Sequence, residues 1–288
     1  MASSDMQDVR RRISSITSME HITNAMNLVS TAKLRSAKKV FERTHSNFHF
    51  VTQSIKEIFA NEKDIPQKYV RGNKEINKTC YIVITSCRGL CGGFNSDVIK
   101  AAEREINSDN GEGIIVAIGS KGLDYFSGRD YEILEDYLLP PEAISFVESK
   151  AMVKPLIEKY DNKEIDQIKI IYTEYLSPME QKVTIKTLLP LDLKNDPDVI
   201  SHPRVVDYKP SLEEVFNYLV PKYVEISMHG AIVESATCEH AARRMAMKSA
   251  TDNARDMLDK LSLYYNRARQ SAITDEISEI VAGAEAQK

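Results

Sequence analysis

Two long stretches without a helix breaker constrain this chain more than any other feature. No Pro or Gly occurs from Met1 to Ile65, and none from Ala231 to Ala282. Pro removes a backbone donor and Gly costs conformational entropy, so their joint absence over such lengths favours unbroken helix. A helix of roughly 50 to 60 residues runs about 75–90 Å, against about 30 Å for the width of a small domain. It must pair with a second long helix and lie partly inside a partner. Such a rod points to a mechanical or scaffolding part and away from a pocket enzyme.

Composition narrows the class. The 288 residues are 28% charged and 42% hydrophobic, as in an ordinary soluble fold, and the absence of Trp with only 7% aromatics suits a helical rod. No apolar run approaches the ~18 residues of a membrane span. The start, MASSDMQDVRRRISS, lacks the apolar segment of a secretory signal, and Asp5 and Asp8 count against a transit peptide around Arg10–Arg12. Cys80, Cys87, Cys91 and Cys238 have no metal-ligand or disulfide-scaffold spacing, which suits a reducing cytosol. The net charge is −4, yet residues 1–45 hold eight Lys/Arg against four Asp/Glu. That basic end suits an acidic protein surface; with no nucleic-acid motif and an acidic total, nucleic acid is not expected as a partner.

The two ends carry matching periodicities. Met247, Ala250, Ala254, Met257, Leu261, Tyr264 and Ala268 recur at steps of three and four, a heptad seam that predicts left-handed supercoiling. The register shifts at Ser271 and Asp275, read as a stutter, and resumes through Ile273, Ile277, Ile280 and Ala284. At the other end Ile16, Met19, Ile22, Met26, Val29 and Lys33 form a weaker stripe. Two stripes at opposite ends of one chain predict an antiparallel intramolecular coiled coil. Met6, Val9, Leu28 and Val281 fall on its outer faces, where a partner sleeve would cover them.

Between the ends the period becomes strand-like. Thr79–Thr85 is a short β-branched run followed by a Gly-rich turn and the helical pattern SDVIKAAEREI. Gly113–Gly119 repeats the scheme, and Ile168–Tyr175 with Val183–Leu189 reads as a hairpin turning at Ser177–Glu180. Alternating strands and helices predict a largely parallel sheet with one antiparallel addition. Pro197, Pro203, Pro210 and Pro221 punctuate the exit into the C-terminal rod. The fold class is therefore α/β: a long antiparallel coiled coil of N- and C-terminal helices with an inserted Rossmann-like, mixed-sheet domain. Its divisions fall at 1–62, 76–208 and 210–288.

No catalytic constellation emerges. Ile84–Lys100 has the strand, Gly-rich turn and helix of a phosphate site. Gly89, Gly92 and Gly93, however, do not fit GxGxxG, and GxxxxGK[ST] is absent. A tight turn that needs small residues explains the glycines better. Cys87 and Cys91 could form a redox pair, but CxxxC carries no specificity. The six His are scattered, no Ser lies in GxSxG, and no metal or cofactor site is expected.

Three stretches together resemble a family. They are VRRRISSITSMEHITNAMNLVSTAKLRSA (Val9–Ala37), ITSCRGLCGGFNSDV (Ile84–Val98) and EHAARRMAMKSATDNARDMLDKLSLYYNRARQSAITDEISEIVAGAEA (Glu239–Ala286). They are similar to the gamma subunit of F-type ATP synthase, with AMKSATDNA and YNRARQ the most specific strings. The resemblance implies a central rotor shaft. Its terminal helices lie inside a ring of alternating alpha and beta subunits, and its α/β domain lies beside epsilon (delta in mitochondria) and the membrane c-ring. Ion flow would turn it peripherally at the cytoplasmic face of the membrane and drive ATP synthesis. ATP, ADP and Mg would be bound by the alpha and beta subunits, with no catalysis by this chain.

The resemblance also implies residue roles. Arg243, Arg269, Gln270 and Thr274 would contact the beta subunits, Met26 would serve coupling, and Arg88, Gly89, Leu90 and Gly92 would belong to the foot near epsilon and the c-ring. The chain departs from the family at Cys87, where Asp is usual, and at Glu20-His21, where Gln-Lys is usual. The second change reverses charge on one rod face and puts a basic contact there in question. No thiol-regulatory insertion is visible between Leu191 and Tyr208. The start aligns with the family start, as in a bacterial chain. A non-rotary coiled-coil scaffold and a nucleotide or redox enzyme using the Gly89–Gly93 turn remain the alternatives.

Overall fold

The computed structural model describes residues 2–62, 65–66, 68–70, 76–109, 111–191 and 208–285, with 2–5, 45–49, 60, 279 and 285 by backbone alone. The segment expected to lack a thiol-regulatory insertion, with Pro197 and Pro203, lies almost wholly outside the described residues. In chain order the elements are α1 (Ala2–Asn61), β1 (Lys78–Ile84), α2 (Phe94–Ser108), β2 (Glu112–Ile118), α3 (Ser120–Phe126) and β3 (Glu132–Tyr137). A 3-10 turn (Pro141–Ala143) follows, then α4 (Phe146–Asp161), β4 (Gln167–Tyr175), β5 (Gln181–Leu189) and α5 (Leu212–Glu285). The chain forms two compact units: Met1–Thr31 with Arg243–Lys288, and Ala32–Ala242.

In the larger unit the sheet order is β3-β2-β1-β4-β5. β1 pairs in parallel with β2 and β4, β2 in parallel with β3, and β4 antiparallel with β5. This is the mixed sheet expected from the alternation of runs, with β3 added at one edge. Because successive strand side chains face opposite ways, β1 feeds two cores. Cys80, Ile82 and Ile84 join a cluster with Met152, Val153 and Leu156 of α4, Ile55 and Ile58 of α1, and Phe216, Val220, Tyr223 and Val224 of α5. Tyr81 and Val83 join the opposite cluster with Val98 and Ala102 of α2 and Phe126 of α3. The sheet is thus covered on both faces, as mostly parallel sheets require.

α4 begins at a capping box in which the Ser145 hydroxyl accepts from the Glu148 N–H while the Glu148 carboxylate accepts from the Ser145 N–H. α5 begins earlier than its breaker-free stretch, and Pro221 and Gly230 lie inside the helix rather than before it. An interior Pro costs about 3 kcal/mol. Burying each of Phe216, Val220, Tyr223 and Val224 against the sheet returns about 1.5–3 kcal/mol per side chain, so packing overrides the breaker.

In the smaller unit α1 and α5 run antiparallel. Glu20 meets Arg255 and, three residues later, Thr23 meets Thr251. Their facing residues follow the expected stripes in part: Met247, Ala250, Ala254, Leu261 and Ala268 of α5 and Ile16 and Met26 of α1 are buried or half-buried. On α1 a row at steps of three and four runs through Met6, Val9, Ile13, Ile16, Glu20, Thr23, Asn27 and Ser30, with Thr17, Asn24 and Met26 half-buried beside it. On α5 the corresponding row is Met247, Thr251, Ala254, Leu258, Leu261, Tyr265, Ala268 and Ala272, with Arg243, Arg244, Ala246 and Ala250 also buried or half-buried. Met257 and Tyr264 are exposed, and Leu258 and Tyr265 take their places. Met19, Ile22 and Val29 likewise face outward. Val9, expected outside, is only 8% exposed, whereas Leu28 and Val281 are exposed as expected. The buried row ends at Ala272, and Ile273, Ile277, Ile280 and Ala284, where the stripe is expected to resume, are exposed.

Candidate functional site

The seam of the coiled-coil unit is polar at its middle. The Glu20 carboxylate, 12% exposed, accepts from Arg255 Nε at 2.9 Å and from its terminal guanidinium nitrogen at 2.8 Å. The Thr23 and Thr251 hydroxyls meet at 2.9 Å, and Ser30 Oγ donates to the Met26 carbonyl at 2.7 Å. Glu20, one of the departures from the family pattern, therefore does not alter an outer rod face; it is turned inward and neutralised by Arg255. The outer surface carries large apolar side chains among its charges: Met19, Ile22, Leu28 and Val29 on α1, and Met257, Leu263, Tyr264, Ile273, Ile277 and Ile280 on α5, are all exposed. A coiled coil normally buries such residues and exposes the polar ones. Exposed apolar side chains in this number are unusual on a free soluble chain and fit a surface that meets other protein.

The sequence-expected contact residues fall differently in this unit. Arg269, Gln270 and Thr274 are exposed on one stretch of α5, with the Thr274 hydroxyl donating to the Gln270 carbonyl at 2.9 Å. Arg243 is only 9% exposed and lies 26 positions earlier, about 39 Å along a helix at 1.5 Å per residue. Met26 is half-buried beside the seam. The four contact residues do not converge on one point.

The residues expected at the foot belong to the larger unit, in the turn that leaves β1. Arg88, Gly89, Leu90 and Gly92 are all exposed. Gly92 has φ +60° and Leu90 φ +63°; for a bulky residue the left-handed region costs about 1–2 kcal/mol. A hydrogen-bond network beneath the turn holds it there. Asn95 Oδ1 accepts from the Ser86 N–H at 2.9 Å, Asn95 Nδ2 donates to Ser86 Oγ at 2.7 Å, and Ser86 Oγ donates to the Arg88 carbonyl at 2.7 Å. The Cys87 thiol donates to the Leu138 carbonyl at 3.2 Å, and Ser120 Oγ donates to the Cys87 carbonyl at 3.2 Å. The turn is therefore anchored to the segments after β2 and β3, and Leu90, Leu138 and Leu139 are all exposed. All four cysteines are free thiols.

This turn also lies at the point where the strand order reverses, between the C-terminal ends of β1 and β4, where open α/β sheets take their ligands. Here α5 fills that crevice. Ser235 Oγ accepts from the Thr173 N–H at 3.2 Å, Glu234 Oε1 from the Tyr175 N–H at 2.9 Å, and the Cys238 thiol donates to the Thr173 carbonyl at 3.4 Å. Cys91, Phe94 and Cys238 pack together beside Tyr175. α2 starts at Gly93 without a side-chain cap, and the Asp97 carboxylate lies over that glycine. A carboxylate there repels the phosphate that a helix N-terminus would otherwise attract. The strand–turn–helix is thus a plugged version of a nucleotide fold, with α5 as the plug. Burial drives the Glu234 carboxyl up to about 7, opposed by the Tyr175 N–H and by Lys186 and reinforced by Glu174.

Sequence reasoning missed the polar seam and the plug. Glu20, Thr23, Thr251, Glu234, Ser235 and Cys238 all act through long-range partners that leave no local motif. The one available signal was the excess of apolar residues on α1 and α5 over what a two-helix seam can hold. Among the described residues no helix is long and apolar enough to cross a membrane.

Known proteins resemble this chain along its whole length. The family model described as ATP synthase matches residues 5–287. The ATP synthase gamma chain of Alkaliphilus metalliredigens is 44% identical over 98% of this chain and 99% of its own length. The ATP synthase gamma chain, sodium ion specific, of Acetobacterium woodii is 38% identical over 98% of both. Among solved structures, a chain of the Euglena gracilis mitochondrial ATP synthase OSCP/F1/c-ring assembly superposes with a TM-score of 0.68. It covers 99% of this chain and 95% of its own at 18% identity, a likeness of fold.

Proposed function

The chain belongs to the ATP synthase gamma-chain family, and from that premise we infer how its two units divide the work of a central-stalk rotor subunit. The coiled-coil unit turns inside the ring of alpha and beta subunits. The α/β unit is the foot, held by epsilon and driven by the c-ring at the cytoplasmic face of the cell membrane. The subunit carries torque and leaves nucleotide chemistry to the alpha and beta subunits, which hold ATP, ADP and Mg.

One observation carries this reading: although its seam buries apolar and polar residues alike, the coil leaves a set of large apolar side chains, among them Met19, Ile22, Val29, Met257 and Leu263, exposed on its outer face. A shaft that turns against a sleeve needs a surface that excludes water without locking to one partner. Apolar contact supplies that, because it is non-directional, whereas fixed ion pairs would trap one angle. Exposed Arg269, Gln270 and Thr274 then add polar contacts with acidic beta-subunit loops, and half-buried Met26 sets the spacing of α1 on α5. The strained turn at Leu90 presents a rigid apolar tip to the foot partners. A coiled-coil scaffold without a rotary role finds no support among the relatives.

The test uses the complex purified from its native membrane and reconstituted in vesicles. Alpha, beta, epsilon and c subunits should co-purify with this chain. Replacing Arg269 and Gln270 together by Ala should weaken ATP-driven ion pumping. Coupled ATP synthesis that survives removal of residues 231–288 would overturn the rotary reading.

A further inference from the structure

We propose that Glu142 is a pin that locks the α/β domain to α1 and α5 at once, so that torque entering the domain passes into both helices. The inference rests on the shaft reading and adds to it a positioning residue that neither motif nor resemblance indicates.

Glu142 sits in the 3-10 turn Pro141–Ala143, between β3 and α4. Pro140 and Pro141 fix the backbone on one side, and the Ser145–Glu148 capping box fixes it on the other. The two carboxylate oxygens reach different helices. Oε1 accepts from Lys33 Nζ of α1 at 2.5 Å, and Oε2 accepts from His240 Nε2 of α5. All three residues lie in the larger unit.

The protonation pattern supports a permanent link. His240 is 2% exposed, and its Nδ1 has no hydrogen-bond partner among the described residues. A second proton on Nδ1 would be buried without an acceptor, so the ring is neutral and donates through Nε2. Burial lowers the imidazole further than the facing carboxylates Glu142 and Glu239 raise it, and Lys33 adds to the lowering. Burial alone would raise Glu142, but the Lys33 ammonium and His240 outweigh it and hold the carboxyl below its ordinary value. One carboxylate thus meets one cation and one neutral donor across the working pH range.

What this bond adds is direction. The apolar contacts that hold α1 and α5 to the sheet resist separation, but being non-directional they resist sliding weakly. A charge-assisted bond with two arms at fixed geometry resists displacement along either helix. Glu142 ties both helices to a single rigid turn, where a tangential load would otherwise shear the helices over the sheet.

The experiment measures ions pumped per ATP hydrolysed in vesicles that hold the whole complex, following proton and sodium uptake together. Glu142→Ala should lower that ratio at least about threefold, in the range by which residues along a coupling network act, with hydrolysis continuing. Lys33→Glu alone should do the same. Combining Lys33→Glu with Glu142→Lys should recover part of the ratio, because the ion pair to α1 re-forms reversed while the His240 arm stays lost; a residue needed only for folding would give no such recovery. If Glu142→Ala prevents assembly, Lys33→Met removes one half-exposed arm and is read in its place. An unchanged ratio in these variants, or no recovery by the swap, overturns the pin. The same vesicles with residues 231–288 removed separate the two ideas. If that truncation uncouples while Glu142→Ala does not, the pin fails and the shaft stands.

Discussion

The two units solve opposite packing problems. In the α/β unit the strands bury their apolar faces in two continuous cores, and Ile82, Val83 and Ile84 are fully enclosed. In the coiled-coil unit the seam holds Glu20, Thr23 and Thr251 while Ile22 stands 61% exposed and Met257 50%. The first arrangement stabilises itself, because its apolar area leaves water on folding. The second leaves much of its apolar area in water until a partner covers it. The contrast teaches that one chain can hold a self-sufficient domain beside a rod whose stability is completed by its surroundings.

The sharpest way to break that comparison is a cavity in the self-sufficient part. Ile82→Ala removes a fully buried side chain and should destabilise the α/β unit by about 2–5 kcal/mol, read from the urea midpoint of the isolated chain. A loss below ~1 kcal/mol would mean that this core is loosely packed. The seam tests the other side. Replacing both Glu20 and Arg255 by Leu exchanges an ion pair whose arginine is half-exposed for apolar packing. It should change the stability of the isolated chain by less than about 1 kcal/mol, monitored as helical signal on heating. A larger destabilisation would show that the pair holds the register.

A pH titration sharpens the role of α5 as plug. The Glu234 carboxyl is raised from an ordinary 4.5 to about 7. Between those values the folded chain keeps a proton that the unfolded chain has released, so stability falls as pH rises through that window. Glu234→Gln keeps an acceptor for the Tyr175 N–H and has no proton to lose. Its advantage over the parent should therefore grow from pH 4.5 to 7 and then level off; parallel denaturation curves at all pH values would refute it. Gly230 lies within α5, and an added methyl there would meet nothing within 4 Å. Gly230→Ala should stabilise the larger unit by about 0.5–1 kcal/mol, seen as a small rise in its thermal midpoint. The smallest effect belongs to the outer face. Ile22→Gln should change the stability of the isolated chain by less than ~0.5 kcal/mol, yet reduce recovery of assembled complex. Unchanged assembly would remove Ile22 from the bearing surface.

Much of the fold was legible because its signals are local. The strand runs at Thr79–Thr85 and Gly113–Gly119 and the hairpin at Ser177–Glu180 appear within a residue or two of their observed bounds, because β-branched runs and turn residues act over short range. The edge strand β3, EILEDY, alternates weakly and carries three acids, so its pattern gives little to read. α4 had a legible start in the S-x-x-E of Ser145–Glu148. The foot turn was legible as a turn, but not its anchoring through Ser86, Asn95 and Cys87, which joins segments up to 51 positions apart.

The long helices at both ends, the mixed α/β sheet between them and the lack of a phosphate motif in the Gly-rich turn can all be read along the linear chain. Breakers, periodicity and turn chemistry are properties of neighbouring residues, so the chain states them directly. Which face of each helix turns inward is set by long-range pairing. A heptad stripe can be phased on Met257 and Tyr264 or on Leu258 and Tyr265 with equal local sense, and hydrophobicity alone favours the wrong choice wherever the apolar face awaits a partner. Pairing settles the phase: with Arg255 on Glu20 and Thr251 on Thr23, Leu258 and Tyr265 turn inward while Met257 and Tyr264 stay exposed. The same holds for the crevice at the end of β4, open in the linear pattern and closed in space by Glu234, Ser235 and Cys238 from a helix some sixty positions away.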